Sequence, residues 1–295
     1  MGHNFESKFA LSPPVKPLSF EEYFNTLSAR ASQGLNKEKV FRRYLCFGSL
    51  PKMIRLQSES EVCEYVEDRY SAILLEGVAL VRPRTNMQAY LSLLRYITQN
   101  IGILMTPGSL VGELEKEGAS IAKNTIVEYL KLAYRSGLLC CAKRIDLKTN
   151  TLLSRGEKYY LKDFGLRYFM ERQAPRKEEY DAIIENAIYL ELSRRYEKVF
   201  VGKLSAHTID FVCLSKNDTG NGCVKRHYYQ IVRDPFELDE KSERIAPLLA
   251  LRDNYPKTLL TLEETEGDCF AGVNCEYVID WLLGQQVAKS LSVAR

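Results

Sequence analysis

The chain has 295 residues, 45% of them hydrophobic and 27% charged. That is ordinary globular composition for about two or three domains, and it excludes a wholly disordered chain, a collagen and a disulfide-stapled mini-protein. Lys and Arg number 41 against 38 Asp and Glu, a net charge of +3, so only a local basic patch would point to a nucleic-acid partner.

No run approaches the roughly 18–20 consecutive apolar residues of a membrane-spanning helix. The first twelve residues lack the apolar stretch of a signal peptide. A cytoplasmic protein with no membrane partner is therefore expected. The eight cysteines, Cys46, Cys63, Cys140, Cys141, Cys213, Cys223, Cys269 and Cys275, form no C-x-x-C, and there are only three histidines. A zinc site is not expected, and the thiols read as free and buried among apolar neighbours.

Residues 12–16 read as an extended leader. Ser19-Phe20-Glu21-Glu22 fits a capping box and predicts a short helix to about Leu27. Asn36 can cap a second helix that ends near Gly48, ahead of Pro51. Ser58 opens a longer third helix, with Val62, Tyr65, Val66, Ile73 and Leu74 at helical spacing, broken by Arg82-Pro83-Arg84. Residues 1–85 are thus expected to form a helical segment.

Residues 86–163 change character. Met87, Tyr90, Leu91, Leu94 and Ile97 make one helix face, ended by Gly102. Thr106-Pro107 is an N-cap followed by an N1 proline for a second short helix. A third helix begins near Lys123, and Gly137 closes it. A β-like run over 138–145, a turn at 146–150 and a second run at Tyr159–Leu161 follow. Three helices and a hairpin in this order predict a winged helix-turn-helix.

Residues 164–295 change again. A helix over about 180–196 precedes strands at Val199–Val201, Ile209–Leu214 and His227–Val232, with a hairpin loop at Asn217–Gly222. A polar helix near 238–251, a strand at Thr258–Thr261 and a last strand or helix at Tyr277–Leu283 complete the order αβββαβ, a mixed α/β domain.

Two sites stand out. The third helix of the middle segment would present Lys123, Asn124, Glu128, Lys131 and Arg135, and the wing offers Lys143, Arg144, Lys148, Arg155 and Lys158. Residues 86–163 hold eleven Lys and Arg against seven Asp and Glu, a modest excess suited to phosphates. The acidic Glu113, Glu115 and Glu117 of the preceding helix favour instead a winged helix that packs against protein. The second site is Glu185 on a helix, Asp210 on a strand and Gln230 on the next strand. Converging carboxylates can hold Mg²⁺ for phosphodiester cleavage when a Lys stabilises the developing charge. The position two after Gln230 is Val232, and strand alternation turns Arg233 to the other face. The competing expectation is a buried polar network that fixes helix against sheet. His207 and His227 have no convincing nucleophile partner, and no P-loop is present, so no ATP site is expected in this chain.

Several stretches, taken together and in order, resemble a known family. They are residues 17–23 (PLSFEEY), 44–51 (YLCFGSLP), Asn124-Thr125 with Tyr129-Leu130, 158–167 (KYYLKDFGLR), Glu185-Asn186, 209–212 (IDFV), 229–231 (YQI), 253–257 (DNYPK) and 281–283 (WLL). This is the prokaryotic group of AAA-type ATPases whose C-terminal half is a domain of unknown function. The resemblance implies a chain that starts after the ATPase core, at a helical lid. It also implies a winged helix and then a degenerate α/β domain of the PD-(D/E)XK, restriction-endonuclease-like class. Glu185, Asp210 and Gln230 match that pattern, while Thr208 stands where many members have Glu and Val232 where active nucleases have Lys.

The expected architecture is therefore α+β or mixed: residues 1–85 a lid-like helical segment, 86–163 a winged helix-turn-helix, and 164–295 a nuclease-like α/β domain. The expected function is a non-catalytic binding module for DNA or a partner protein. Its nucleic-acid contacts would be Lys123, Asn124, Lys131, Arg135, Lys143, Arg144, Lys148 and Arg155. No cofactor is expected beyond a weak Mg²⁺ site at Glu185 and Asp210. A metal-dependent nuclease and a purely protein–protein adaptor are the alternatives. The sequence sets no oligomeric state.

Overall fold

The computed structural model describes residues 16–31, 34–56, 58–81, 86–215, 225–233, 244–264 and 273–285, with backbone alone over 78–81. The expected leader over 12–15, the breaker Arg82-Pro83-Arg84, the loop Asn217–Gly222 and the start of the polar helix at 238–243 lie outside the described residues, as do Cys223 and Cys269. The protein is mixed α/β, with ten α-helices and eight strands among the described residues. No helix there is long and apolar enough to cross a membrane. The chain divides into two compact units: the described residues up to Ala142 with Arg155–Asn186, and Lys143–Ser154 with the described residues from Ala187 on. This redistributes the three expected segments. The hairpin tip over 143–154 belongs with the C-terminal strands, and residues 164–186 belong with the helices.

In the first unit, helix α1 (Phe20–Ser28) starts with both bonds of its capping box made, from Glu22 N–H to Ser19 Oγ and from Ser19 N–H to Glu22 Oε2. Helix α2 (Lys37–Phe47) is capped by Asn36 and ends at Gly48. A 3₁₀ turn at Pro51–Arg55 leads to α3 (Glu59–Val81). Gly48 has φ +85°, and a Cβ there would lie 2.2 Å from Asp163 Oδ1. Glycine is thus required twice over, for backbone conformation and for space. Asp163 is buried and accepts bonds from Ser49 N–H, Tyr70 O–H and Gly165 N–H. Burial raises its carboxyl above the ordinary range, while those donors pull the other way. Phe20 packs edge to face on Phe41 and on Tyr44, and Tyr44 on Phe164, with centroids 4.8–5.5 Å apart.

Helix α4 (Met87–Gln99) is capped by Asn86 and closes at Asn100, two residues before the expected Gly102. Strand β1 (Leu104–Met105) follows, then α5 (Pro107–Lys116), capped by Thr106 with the expected proline at N1, and α6 (Lys123–Arg135). Gly137 has φ +70° past the end of α6. Strands β2 (Leu139–Asp146) and β3 (Thr151–Leu161) are neighbours, and β1 pairs antiparallel with β3. Strand β3 begins eight residues earlier than expected, because polar residues such as Ser154, Arg155 and Glu157 mask its alternation. Helix α7 (Gly165–Glu171), which the sequence did not announce, packs against α2, α3 and α4. Helix α8 (Tyr180–Arg195) contributes its start, through Asn186, to this unit.

In the second unit the strand order is β2-β4-β5-β6-β7-β8. Strands β4 (Lys198–Leu204), β5 (His207–Leu214) and β6 (Arg226–Val232) run antiparallel in sequence. The end of β2 joins β4 in parallel, and β7 (Lys257–Thr261) and β8 (Asn274–Tyr277) add in parallel to β6. Between β6 and β7 the described part of the expected polar helix is one turn, α9 (Ala246–Leu249). The last expected element is a helix, α10 (Val278–Leu282). Ile145, Ile209, Val212, Tyr228, Val232, Ile245, Leu248 and Leu259 form the core on one sheet face.

Candidate functional site

Helix α6 is amphipathic. Ile126, Tyr129, Leu130, Leu132 and Ala133 are buried, while Lys123, Asn124, Glu128, Lys131 and Arg135 are exposed. Spacings of four put Lys131 and Arg135 on one side, with Lys123 two turns earlier. Ala122 gives no side-chain cap, and the first turn holds no acid, so the positive end of the helix dipole carries Lys123 and Asn124. The C-terminal part of α6 is flanked by α3, where a Cβ on Gly77 would lie 2.6 Å from Ser136 Oγ. Arg155 is exposed on β3. On α5, Glu113 is held by Lys116 at 2.8 Å and Glu115 is exposed, as is Glu117 at the C-cap.

In the second unit Lys143 and Lys148 are exposed and Arg144 is half-buried. Their turn is internally braced: Asp146 Oδ1 accepts from the N–H groups of Lys148 and Thr149. Those bonds hold the Asp146 carboxyl below its usual range.

Glu185 belongs to the first unit. Its Oε1 accepts from Lys158 Nζ at 2.9 Å and from Tyr160 O–H at 2.7 Å. It also lies over Gly102, where a Cβ would be 2.7 Å from the same oxygen. The adjacent Asn186 takes Leu161 N–H on Oδ1 and gives Nδ2–H to Leu161 O. It thereby makes the two bonds a neighbouring strand would make. Together Glu185 and Asn186 clamp the end of β3 to α8. The partners Lys158 and Tyr160 went unforeseen for Glu185; their alternate spacing on a strand, which puts both on one face, is the signal that could have found them.

Asp210 and Gln230 come together in the second unit. Strands β5 and β6 pair as far as Phe211 and Tyr229. Against β4, three steps of β5 oppose two between Phe200 and Gly202, an irregularity of the bulge type. Where the ladder stops, Gln230 Oε1 accepts Asp210 N–H at 3.1 Å and Asp210 Oδ2 accepts Ile231 N–H at 2.9 Å. The side chains replace backbone partners that the fork between the strands removes. Arg244 NH1 stands 3.6 Å from Asp210 Oδ1, a cation the sequence reading missed. Val232 is buried in the core, and Arg233 is exposed. His207 and Thr208 are exposed at the start of β5. Among the described residues no group of three or more His, Cys, Asp or Glu side chains could hold a metal ion.

His227 sits elsewhere, on the opposite sheet face. Its Nε2 shares a hydrogen bond with Thr258 Oγ1 at 2.8 Å, and its Nδ1 shares one with Tyr196 Oη at 2.9 Å, which in turn bonds Tyr229 Oη at 2.8 Å. Burial pushes the imidazole down to about 4. Of the cysteines, Cys46 and Cys213 are buried as expected, whereas Cys63, Cys140, Cys141 and Cys275 are half-buried; all six are free thiols.

Residues 38–177 match Domain of unknown function (DUF8612). Over 274 residues the chain is 29% identical to a protein of Haemophilus influenzae described as uncharacterized, covering 91% of this chain and 64% of that protein. The chain thus spans under two thirds of that relative's length. No solved structure matches it.

Proposed function

We propose that this chain is a non-catalytic, DNA-binding module of the AAA-type ATPase family, acting in the cytoplasm and contacting DNA through a winged helix whose recognition helix is α6. The order α4-β1-α5-α6-β2-β3, with β1 against β3, supports the winged-helix reading. The order α8-β4-β5-β6-α9-β7, antiparallel and then parallel, supports a nuclease-like second domain. The observation that carries DNA contact is the row Lys123, Lys131 and Arg135, exposed along a helix with no acid in its first turn. Phosphates bind such rows by displacing counterions.

Cleavage is not part of the proposal. Glu185 Oε1 already neutralises Lys158, and Asp210 Oδ2 already serves a backbone N–H. Neither donor set suits a divalent ion, and Val232 supplies no charge to a transferring phosphoryl group. A protein partner is the second reading. Leu104 on the short strand β1 and Ile103 just before it, both exposed, favour it.

Fluorescence anisotropy with a labelled duplex, titrated at several salt concentrations, tests the proposal. Lys131→Ala with Arg135→Ala should weaken binding to every sequence and reduce the slope of log K against log salt by about two. Absence of binding at low salt, or an unchanged slope, would reject α6 as the contact. A Walker A motif in the part of the Haemophilus protein beyond the matched region would support the family placement, and its absence there would oppose it.

A further inference from the structure

The second unit carries a basic surface that no single stretch of sequence announces. Register places it. Lys143 on β2 is the cross-strand partner of Phe200 on β4. Lys198, two residues before Phe200, points to the same face. Lys198 pairs with Leu214 on β5, and Leu214 pairs with Arg226 on β6. Lys143, Lys198 and Arg226 therefore lie on one sheet face near one end, across four adjacent strands spaced about 4.8 Å apart. The hairpin turn joins them, because Arg226 NH2 donates to Asn150 Oδ1 and so brings the loop of Lys148 beside β6. Lys143, Lys148 and Lys198 are exposed and Arg226 is half-buried.

Two nearby acids take hydrogen bonds from neutral groups of the fold and keep their charge, so the four cations outnumber them. Asp146 accepts the turn's own N–H groups. Asp253 accepts Tyr228 O–H at 2.7 Å. Glu197 is a third acid, exposed in the bend just before β4. Three like charges on one face, with Lys148 in the adjoining turn, repel each other, and a polyanion laid across them removes that repulsion. Half-buried Phe200 lies between Lys143 and Lys198, and half-buried Tyr255 packs on the same core face near Tyr228. Aromatic rings among cations are the composition of nucleic-acid surfaces more than of sites for anionic lipid, which use cations beside an apolar helix.

We propose that Lys143, Lys148, Lys198 and Arg226 form a second nucleic-acid backbone site, built by the hairpin turn and strands β2, β4 and β6. It rests on nucleic acid being the partner, but not on α6 being the contact. Three of the four side chains are exposed, so their substitution leaves the core intact.

The test uses the full chain, the labelled duplex, a single strand of the same length, and vesicles of phosphatidylserine. Lys143→Gln with Lys198→Gln should weaken nucleic-acid binding and reduce the log–log salt slope by about two, at roughly 0.9 per lost phosphate contact. Lys198→Glu should weaken it further. The effects should add to those of the α6 pair, as expected for separate contacts. A changed slope from the α6 pair with none from the strand pair would overturn this site and leave the proposed function standing. The reverse result would remove α6 and keep this site. Binding to vesicles and not to nucleic acid, or no binding to either, would overturn both.

Discussion

His227 makes the second unit sensitive to acid, with a sign and size that follow from its surroundings. The ring is largely buried between β5, β7 and the Tyr196 and Tyr229 hydroxyls. Burial disfavours the imidazolium and lowers the pKa from 6.5 to about 4. The unfolded chain therefore takes up a proton first. Stability from this group is fully present above about pH 6.5, is lost as pH falls toward 4, and is flat below. At about 1.36 kcal/mol per unit the loss is about 3 kcal/mol, an upper bound because His227 is half-buried and keeps some contact with solvent.

Asp163 and Glu276 act in the opposite direction. Burial raises both carboxyls, so their folded forms hold a proton at higher pH than the unfolded chain and gain stability on acidification. The assay must therefore be a difference. His227→Phe keeps a ring of similar size and removes the titration, at a cost that does not depend on pH. Trp281 is the only tryptophan, and its ring lies 5.8 Å from that of Tyr229. Its fluorescence thus reports urea unfolding around His227. The stability of the parent relative to His227→Phe should fall by about 2–3 kcal/mol between pH 7 and 4. A difference that stays constant, or grows on acidification, would refute the buried-neutral assignment.

Gly48→Ala should destabilise the first unit by about 2 kcal/mol or more, since it strains a positive φ and drives a methyl into Asp163; circular dichroism melts read it, and a wild-type melting temperature would contradict the packing. Asp210→Ala should cost about 1–3 kcal/mol by orphaning Ile231 N–H, and Asp210→Asn clearly less, because an amide oxygen can still accept that bond. Equal losses in urea titrations would count against this capping role. Incubation of the parent with single- and double-stranded DNA and Mg²⁺ or Mn²⁺ should give no cleavage; products that vanish in a folded Asp210→Ala protein would restore the nuclease reading. Lys158→Met should destabilise more than Lys158→Met combined with Glu185→Gln, because the single change leaves a half-buried carboxylate without its cation.

Helix starts were the most legible features. Ser19, Asn36 and Thr106 each cap the helix expected of them, because a cap is a local bond between residues three apart; Asn86 caps α4 in the same way and was not foreseen. Strand lengths were less legible. Strand β3 extends over polar residues because pairing partners, not its own alternation, sustain it. Helix α7 went unread since its start depends on Asp163, a residue whose bonds reach Ser49 and Tyr70 far away in sequence.

The candidate site marks where local reading ends. Sequence places Glu185 on a helix and Asp210 and Gln230 on adjacent strands, and all three are found there. A carboxylate on such a frame can serve a metal, a cation or a backbone N–H, and all three uses require the same residue type. What separates them is who else arrives. Lys158 and Tyr160 reach Glu185 because β1 and β3 pair beside it, and Ile231 N–H reaches Asp210 because β5 and β6 part beyond the Phe211–Tyr229 pair. Each carboxylate is set by a partner whose proximity is a property of strand register, and register depends on the whole sheet. Lys198 and Arg226 follow the same rule in reverse: 28 positions apart in the chain, they become neighbours on one face only because β4, β5 and β6 align, so a charge count along the sequence could not have joined them.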